Sequence, residues 1–262
     1  MGLLDITVIR GDMIDYSALK AHLVGNIECH IFDSIPSTND YLSALEFSPK
    51  TQVCISAQQT QGKGQRHRQW LSSKGNSILL SIRRVFSTTV SLNGLSLVAG
   101  LALIEVLKDY GATDLQLKWP NDVYYQHKKL AGILIENVVH NQFQSVVIGL
   151  GVNIDGEIAC QTPWVNLRAI VENDINQFEL SKDLIHKILQ FCQIFESKGF
   201  AYFTQQWAIV DYLHGKPVQY DDKKQRFSGV CCGVNNKGVL LITTKNAIKQ
   251  VYSSEFLQVL PL

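Results

Sequence analysis

Two stretches of this 262-residue chain carry residue types that can handle a charged ligand. In Gly62-Lys63-Gly64-Gln65-Arg66-His67-Arg68-Gln69-Trp70, two glycines stand beside the cations Lys63, Arg66 and Arg68. So flexible a backbone can approach an anion closely, letting N–H groups and cations share a phosphate's charge. The run lacks the GK[ST] ending of a P-loop and the third glycine of a dinucleotide fingerprint, and alone it reads equally as a basic surface turn. The second stretch is Lys118-Trp119-Pro120-Asn121-Asp122, followed by Lys128-Lys129-Leu130-Ala131-Gly132. A hairpin of that length brings Lys118, Asp122 and Lys129 to one end of a sheet. Two cations, a carboxylate and an amide suit a magnesium nucleotide, with Asp122 toward the metal and the lysines against phosphate. The plainer alternative is a turn held by Asn121 and Asp122.

The charge distribution supports an anionic ligand. Net charge is only +1, which argues against a generic nucleic-acid binder. Residues 47–104 nevertheless contain no Asp or Glu, while Lys50, Lys63, Arg66, Arg68, Lys74, Arg83 and Arg84 all fall there. The composition, 46% hydrophobic and 18% charged, is that of a globular protein. Asp5, Arg10 and Asp12 interrupt the only apolar stretch near the start, and the run 92–107 is too short to span a bilayer, so a cytoplasmic location without a membrane partner is expected. Ile6 stands where a myristoylation signal wants Ser or Thr. Six cysteines without a CxxC pair are expected to be reduced and mostly buried, and seven histidines without an HExxH pair give no support to a protein-held transition metal.

These residues must be held by elements that periodicity and caps predict. A weak helix is expected over 16–23 and a strand over 29–35, with Ser37 capping a helix that runs through Leu45. Strands follow over 52–57 and 77–82, with the glycine loop between them. Residues 92–110 place Leu92, Leu95, Ala99, Leu103, Val106 and Tyr110 on one face of a long helix stopped by Gly111. Strands are expected over 115–118, 123–125, 130–139 and 145–154, the last two forming a hairpin around His140, Asn141 and Gln142. A helix over 180–198, begun by Ser181 and closed by Gly199, precedes another over 200–209. From Gly215 onward short strands alternate with turns, and Asn235-Asn236-Lys237-Gly238 signals a hairpin, so the chain divides at 214–215 with a small barrel after it.

Four ordered blocks carry a family resemblance: Ser37-Thr38-Asn39, Gln59 with the glycine loop through Trp70, KWPNDVYYQHKKLAGILIE over 118–136, and GLGVN over 149–153. In order and spacing they resemble the bacterial biotin protein ligases, and the likeness runs from about residue 30 onward. It implies an α/β (α+β) fold: a mixed β-sheet flanked by helices, like that of class II synthetases, over residues 1–214, and an SH3-like β-barrel over 215–262. It also implies the reaction, in which ATP activates biotin as an adenylate that passes to a lysine of a biotin carboxyl carrier protein, a subunit of acetyl-CoA carboxylase. On this resemblance Ser37, Thr38, Asn39, Gln59, Gly62, Lys63, Gly64, Gln65, Lys129 and Gly132 face biotin. Arg66, Arg68, Trp70, Lys118, Asn121, Asp122, Asn153 and Trp164 face ATP, with Asn121 and Asp122 near Mg2+. The catalytic set is Lys129, Arg66, Arg68 and Lys118. The residue types fit, because a buried neutral urea needs neutral donors and acceptors, a bare charge there costing roughly several kcal/mol in desolvation.

The sequence also departs from the family pattern. Where the family's loop usually reads GRGRxGR, Lys63 and Gln65 replace arginines and His67 stands where glycine is common; Cys232 occupies a position that is arginine in some relatives. Lys63 keeps charge without the planar fork, and Gln65 loses charge outright. Two alternatives follow: a biotin-binding sensor with decayed catalysis, or a lipoate-type ligase or transferase, for which Cys160 would be the nucleophile. Only about thirty residues precede the first matched strand, too few for the winged helix-turn-helix of some relatives, so direct DNA recognition is not expected. Family members often pair through a β-edge, which makes a homodimer compatible with this reading.

Overall fold

The computed structural model describes residues 16, 19–23, 26–157, 159–160 and 162–261. The readings made at Asp5, Ile6, Arg10 and Asp12 lie outside the described residues. The chain begins with α1 (Leu19–His22), β1 (Ile27–Phe32), α2 (Thr38–Ala44), β2 (Thr51–Ser56) and β3 (Ser77–Ser87). Next come α3 (Leu95–Asp109), β4 (Gln116–Lys118), β5 (Asp122–Tyr125), β6 (Lys128–His140) and β7 (Phe143–Asn153). After α4 (Gln177–Lys198) and α5 (Thr204–Val210) the chain ends in β8 (Pro217–Asp221), β9 (Arg226–Val234), β10 (Leu240–Thr243), β11 (Ile248–Val251) and β12 (Leu257–Val259).

The first seven strands form one sheet in the order β1-β2-β3-β7-β6-β5-β4. Only β1 and β2 run parallel, so the sheet is mixed, as expected. Alternation assigns its two faces. Val53 and Ile55 enter the main core with Leu97, Leu101, Leu184 and Ile188, whereas Cys54 between them packs with Leu42 of α2 and Val147. Helices α3 and α4 therefore cover one face and α2 the other.

Two element readings are corrected. Helix α3 starts at Leu95, after Gly94 turns the chain at φ 86°, and it is buried nearly all round instead of along one stripe, because α4 covers the side the sheet leaves open. Helix α4 starts at Gln177: Asn176 is its cap, accepting from the N–H groups of Phe178 and Glu179, while Ser181 lies inside and donates to Gln177 O at 2.6 Å. The C-terminal strands form an antiparallel sheet in the order β11-β10-β9-β8-β12. Its outer strands do not pair with each other among the described residues, so the antiparallel sheet expected of an SH3-like barrel is present without closing on itself. The β9–β10 turn forms as read, with Asn235 Oδ1 accepting from Lys237 N and Val239 N.

Cys54, Cys192 and Cys231 are buried, Cys29 and Cys232 half-buried and Cys160 exposed, and no disulfide is formed among the described residues. Among the described residues no helix is long and apolar enough to cross a membrane.

Candidate active site

On the face that carries α2, hydrogen-bonded register aligns Leu79, Gly151, Gly132, Asp122 and Lys118 in one row across β3, β7, β6, β5 and β4. The neighbouring row holds Ser81, Gly149 and Leu134. The two rows make a floor with bare glycine at its centre and charge at one end.

Above the glycines sits the entrance of α2, where Ser37, Thr38 and Asn39 are all buried. Ser37 caps the helix by accepting from Asp40 N at 3.2 Å. A parallel bridge between Ile35 and Gln59 draws the second segment alongside. Gln59 Oε1 then accepts from Thr38 N at 2.7 Å and from Thr38 Oγ1 at 2.9 Å, and its amide nitrogen faces Gly62. Ser81 Oγ shares a 2.7 Å bond with Thr38 Oγ1 and donates to Asn39 Oδ1 at 2.6 Å, while Asn39 Nδ2 donates to Glu136 Oε2 at 2.7 Å. A Cβ on Gly149 would lie 2.2 Å from Asn39 Oδ1, so only glycine admits this amide. These groups border a small cavity of about 50 Å³, neutral at its head and edged by Lys63, which pairs with Asp40.

The glycine loop closes the next wall. Trp70 N donates to Gly62 O, Gly64 N to Arg68 O, and Lys63 bridges Gln69. The Trp70 indole lies on the floor, where a Cβ on Gly151 would come 2.4 Å from the ring and one on Gly132 3.1 Å. Expected on the nucleotide side, Trp70 lines both the small cavity and a larger cleft of about 600 Å³ beyond it. Lys129 is another wall residue they share. Its Nζ lies 2.7 Å from Asp122 Oδ1 and 5.5 Å from the Trp70 ring centroid. The β4–β5–β6 hairpins thus gather Lys118, Asp122 and Lys129 as expected.

The cleft is cationic. Lys118 stands beside Tyr124, its Nζ 5.0 Å from the ring centroid; burial pulls its pKa below that of a free lysine, opposed by Asp122 and helped by Lys129, Lys216 and Arg68. Arg68, Asn153 and Trp164 also line it. Asn153 Nδ2 reaches Val165 O at 3.3 Å, tying β7 to the segment that carries Trp164. Asn121 Nδ2 donates to Ile133 O at 2.8 Å, so this amide clamps the turn to β6. Arg66, at φ 60°, sends Nη2 out of the loop to Ser253 Oγ and Ser254 Oγ at 3.1 and 3.0 Å, so the C-terminal sheet holds one of the loop's cations. Gln65 lines both cavities. No cluster of three or more His, Cys, Asp or Glu suited to a metal occurs among the described residues.

Sequence reasoning missed Ser81, Glu136, Gly149 and Gly151, and the two serines behind Arg66. Glu136 and both glycines lay inside blocks already singled out, and Ser81 interrupts an otherwise apolar strand, which was a usable signal. Nothing in the sequence pointed to Ser253 or Ser254.

A neutral pocket joined past a lysine to a cationic cleft is the arrangement that a ligase activating a small carboxylic acid with a nucleotide requires. Residues 31–153 match the Biotin/lipoate A/B protein ligase family. The chain is 32% identical to the bifunctional ligase/repressor BirA of Escherichia coli (strain K12), over 82% of this chain and 69% of that protein. It is 27% identical to the biotin--[acetyl-CoA-carboxylase] ligase of Paracoccus denitrificans, over 72% of this chain and 82% of the relative. Its structure is similar to the biotin protein ligase from Aquifex aeolicus in complex with biotin and ATP, with a TM-score of 0.76 and 25% identity, covering 88% of this chain and 98% of that one. The chain belongs to the biotin protein ligases of this family.

Proposed function

We propose that the two cavities hold the two substrates of one reaction: biotin in the small neutral pocket and ATP in the cationic cleft, meeting at Lys129. The protein is an ATP-dependent biotin protein ligase, which forms biotinyl-5'-AMP and transfers biotin to a protein lysine. The observation that carries the assignment of sites is the register row that sets Gly151, Gly132, Asp122 and Lys118 side by side, with Lys129 next to it in both cavities.

Gln59, Thr38 and Asn39 offer neutral donors and acceptors to the bicyclic urea, which avoids the desolvation cost of a charge. The acid's chain would run along the glycine floor under Trp70 toward Lys129, whose ammonium offsets the carboxylate. A carboxylate oxygen attacks the α-phosphorus and pyrophosphate leaves; the carrier amine then attacks the acyl carbon and AMP leaves. No nucleophilic side chain is needed, so positioning and charge stabilisation supply the rate. Lys118, Arg68 and Arg66 would balance phosphate charge. Asp122 is the carboxylate in the cleft, and one carboxylate suits Mg2+ arriving with the nucleotide and keeping most of its water. Magnesium would supply further neutralisation of the phosphates there.

On this reading residues 1–214 form the catalytic unit and 215–262 an accessory sheet. The acceptor is a biotin carboxyl carrier domain such as that of acetyl-CoA carboxylase, met in the cytoplasm, and a homodimer would form through an edge of the seven-stranded sheet. Because Gln65 stands at both cavities without charge, Gln65→Arg should slow adenylate release by about tenfold or more, the worth of one charged hydrogen bond, measured by trapping released adenylate.

The deciding experiment is biotin-dependent exchange of labelled pyrophosphate into ATP, with Lys129→Ala as control and lipoate as the competing acid, followed by addition of a carrier domain. Exchange with biotin alone, lost in Lys129→Ala, is expected, with carrier labelling after it. Biotin binding without exchange would instead make the protein a sensor, and exchange with lipoate would reassign the pocket.

A further inference from the structure

Arg83 is only 2% exposed and makes no ion pair among the described residues. Its guanidinium instead donates to three backbone carbonyls: Nη1 to Leu42 O at 2.8 Å and Leu45 O at 2.9 Å, Nη2 to Glu46 O at 2.7 Å. These belong to the last turn of α2 and the residues just past it, where a helix's carbonyls have no partner of their own. Cationic charge there also complements the negative end of the helix. Burial lowers the Arg83 pKa, partly offset by Glu28, which lies in the same register row through Gln52, whose Nε2 donates to Glu28 Oε2 at 3.0 Å.

The position along β3 matters. Ser81 and Arg83 are two residues apart and project to the same face. Ser81 bonds Thr38 and Asn39 at the start of α2, and Arg83 bonds its end. Helix α2 has seven residues, too few to hold its shape unaided, so its placement is set by what grips it. An apolar residue would fill this interior at less desolvation cost than a guanidinium, since burying a charge is expensive. The guanidinium supplies what an apolar residue cannot, a fixed three-point attachment for the helix whose other end lines the head pocket.

We infer that Arg83 is a positioning residue for the acid's head group: it sets α2 so that Thr38 and Asn39 meet the ligand. This rests on the reading of that pocket as the biotin site.

The test compares the wild type with Arg83→Met, which keeps bulk and loses every donor, Arg83→Lys, which keeps charge and loses the planar fork, and Leu184→Ala, a core cavity in α4 away from α2. Biotin affinity by calorimetry, KM for ATP, kcat at saturating biotin and melting temperature are read for each. Arg83→Met should weaken biotin binding by about tenfold or more, with KM for ATP and kcat within about twofold, a loss of ground-state binding alone. Arg83→Lys should fall between, and Leu184→Ala should melt earlier with biotin affinity unchanged. Wild-type biotin affinity in both Arg83 variants, or an equal loss in Leu184→Ala, would overturn the inference. If Arg83→Met does not fold, Arg83→Lys decides: wild-type affinity there overturns it. A wild type that binds no biotin would overturn the site reading and this inference with it, whereas wild-type affinity in the Arg83 variants overturns this inference alone.

Discussion

Lys118 shows how its surroundings set a side chain's chemistry. Burial lowers its pKa, so as pH rises it loses its proton before a free lysine would. Polyphosphate favours the charged amine, and KM for ATP should therefore climb as pH rises through that lowered pKa. Lys118→Arg should hold KM flat over the same range, and a pH series of pyrophosphate exchange reads the difference. Within that window the folded state binds fewer protons than the unfolded, so the fold gains stability as pH rises. Gly149 offers a steric test: Gly149→Ala would drive a methyl group onto Asn39 Oδ1, and overpacking of this kind costs about 1–3 kcal/mol. Biotin binding by calorimetry should weaken accordingly, with KM for ATP unchanged. At this scale Lys118, Asp122 and Lys129 were legible because hairpin length brings them together whatever the tertiary context. Ser81 and Glu136 were not, since a lone polar residue in a strand shows its purpose only once the element packed on that face is known.

Elements were legible in kind and less so at their ends. Helix α4 was readable from its apolar period, but Ser181 and Asn176 are both competent caps, and the choice between them depends on where the preceding chain arrives. Asn176→Ala should cost about 1 kcal/mol, seen as an earlier thermal transition, while Ser181→Ala, inside the helix, should leave the transition nearly unmoved. Neither should alter pyrophosphate exchange. Helix α3 misled because its pattern describes one apolar face, whereas two layers cover it; in a fully buried helix periodicity carries little information.

Across the whole molecule, one apolar cluster runs from Leu80 and Leu103 under the large sheet to Leu240, Ile242 and Val251 in the small one. Trp119 helps join them: 5% exposed, it donates from Nε1 to Gly238 O at 3.0 Å between Lys118 and Pro120 at the cleft. Trp119→Phe leaves that carbonyl unpaired, which costs about 1–3 kcal/mol, and it should lower the melting temperature and raise KM for ATP together. That short strands follow residue 215 was legible from the turn residues between them, but the order in which they pair was not, since strand length and turns are the same in an open sheet and a closed one. The roof of the cleft includes Ser254, Leu257, Gln258 and Val259, and Arg66 meets Ser253 across 187 residues of sequence. Every residue that lines the head pocket lies at or before Gly151, whereas the nucleotide cleft draws four of its lining residues from the last ten of the chain. Changes confined to the C-terminal strands should therefore reach the nucleotide cleft directly and the head pocket only through the shared core.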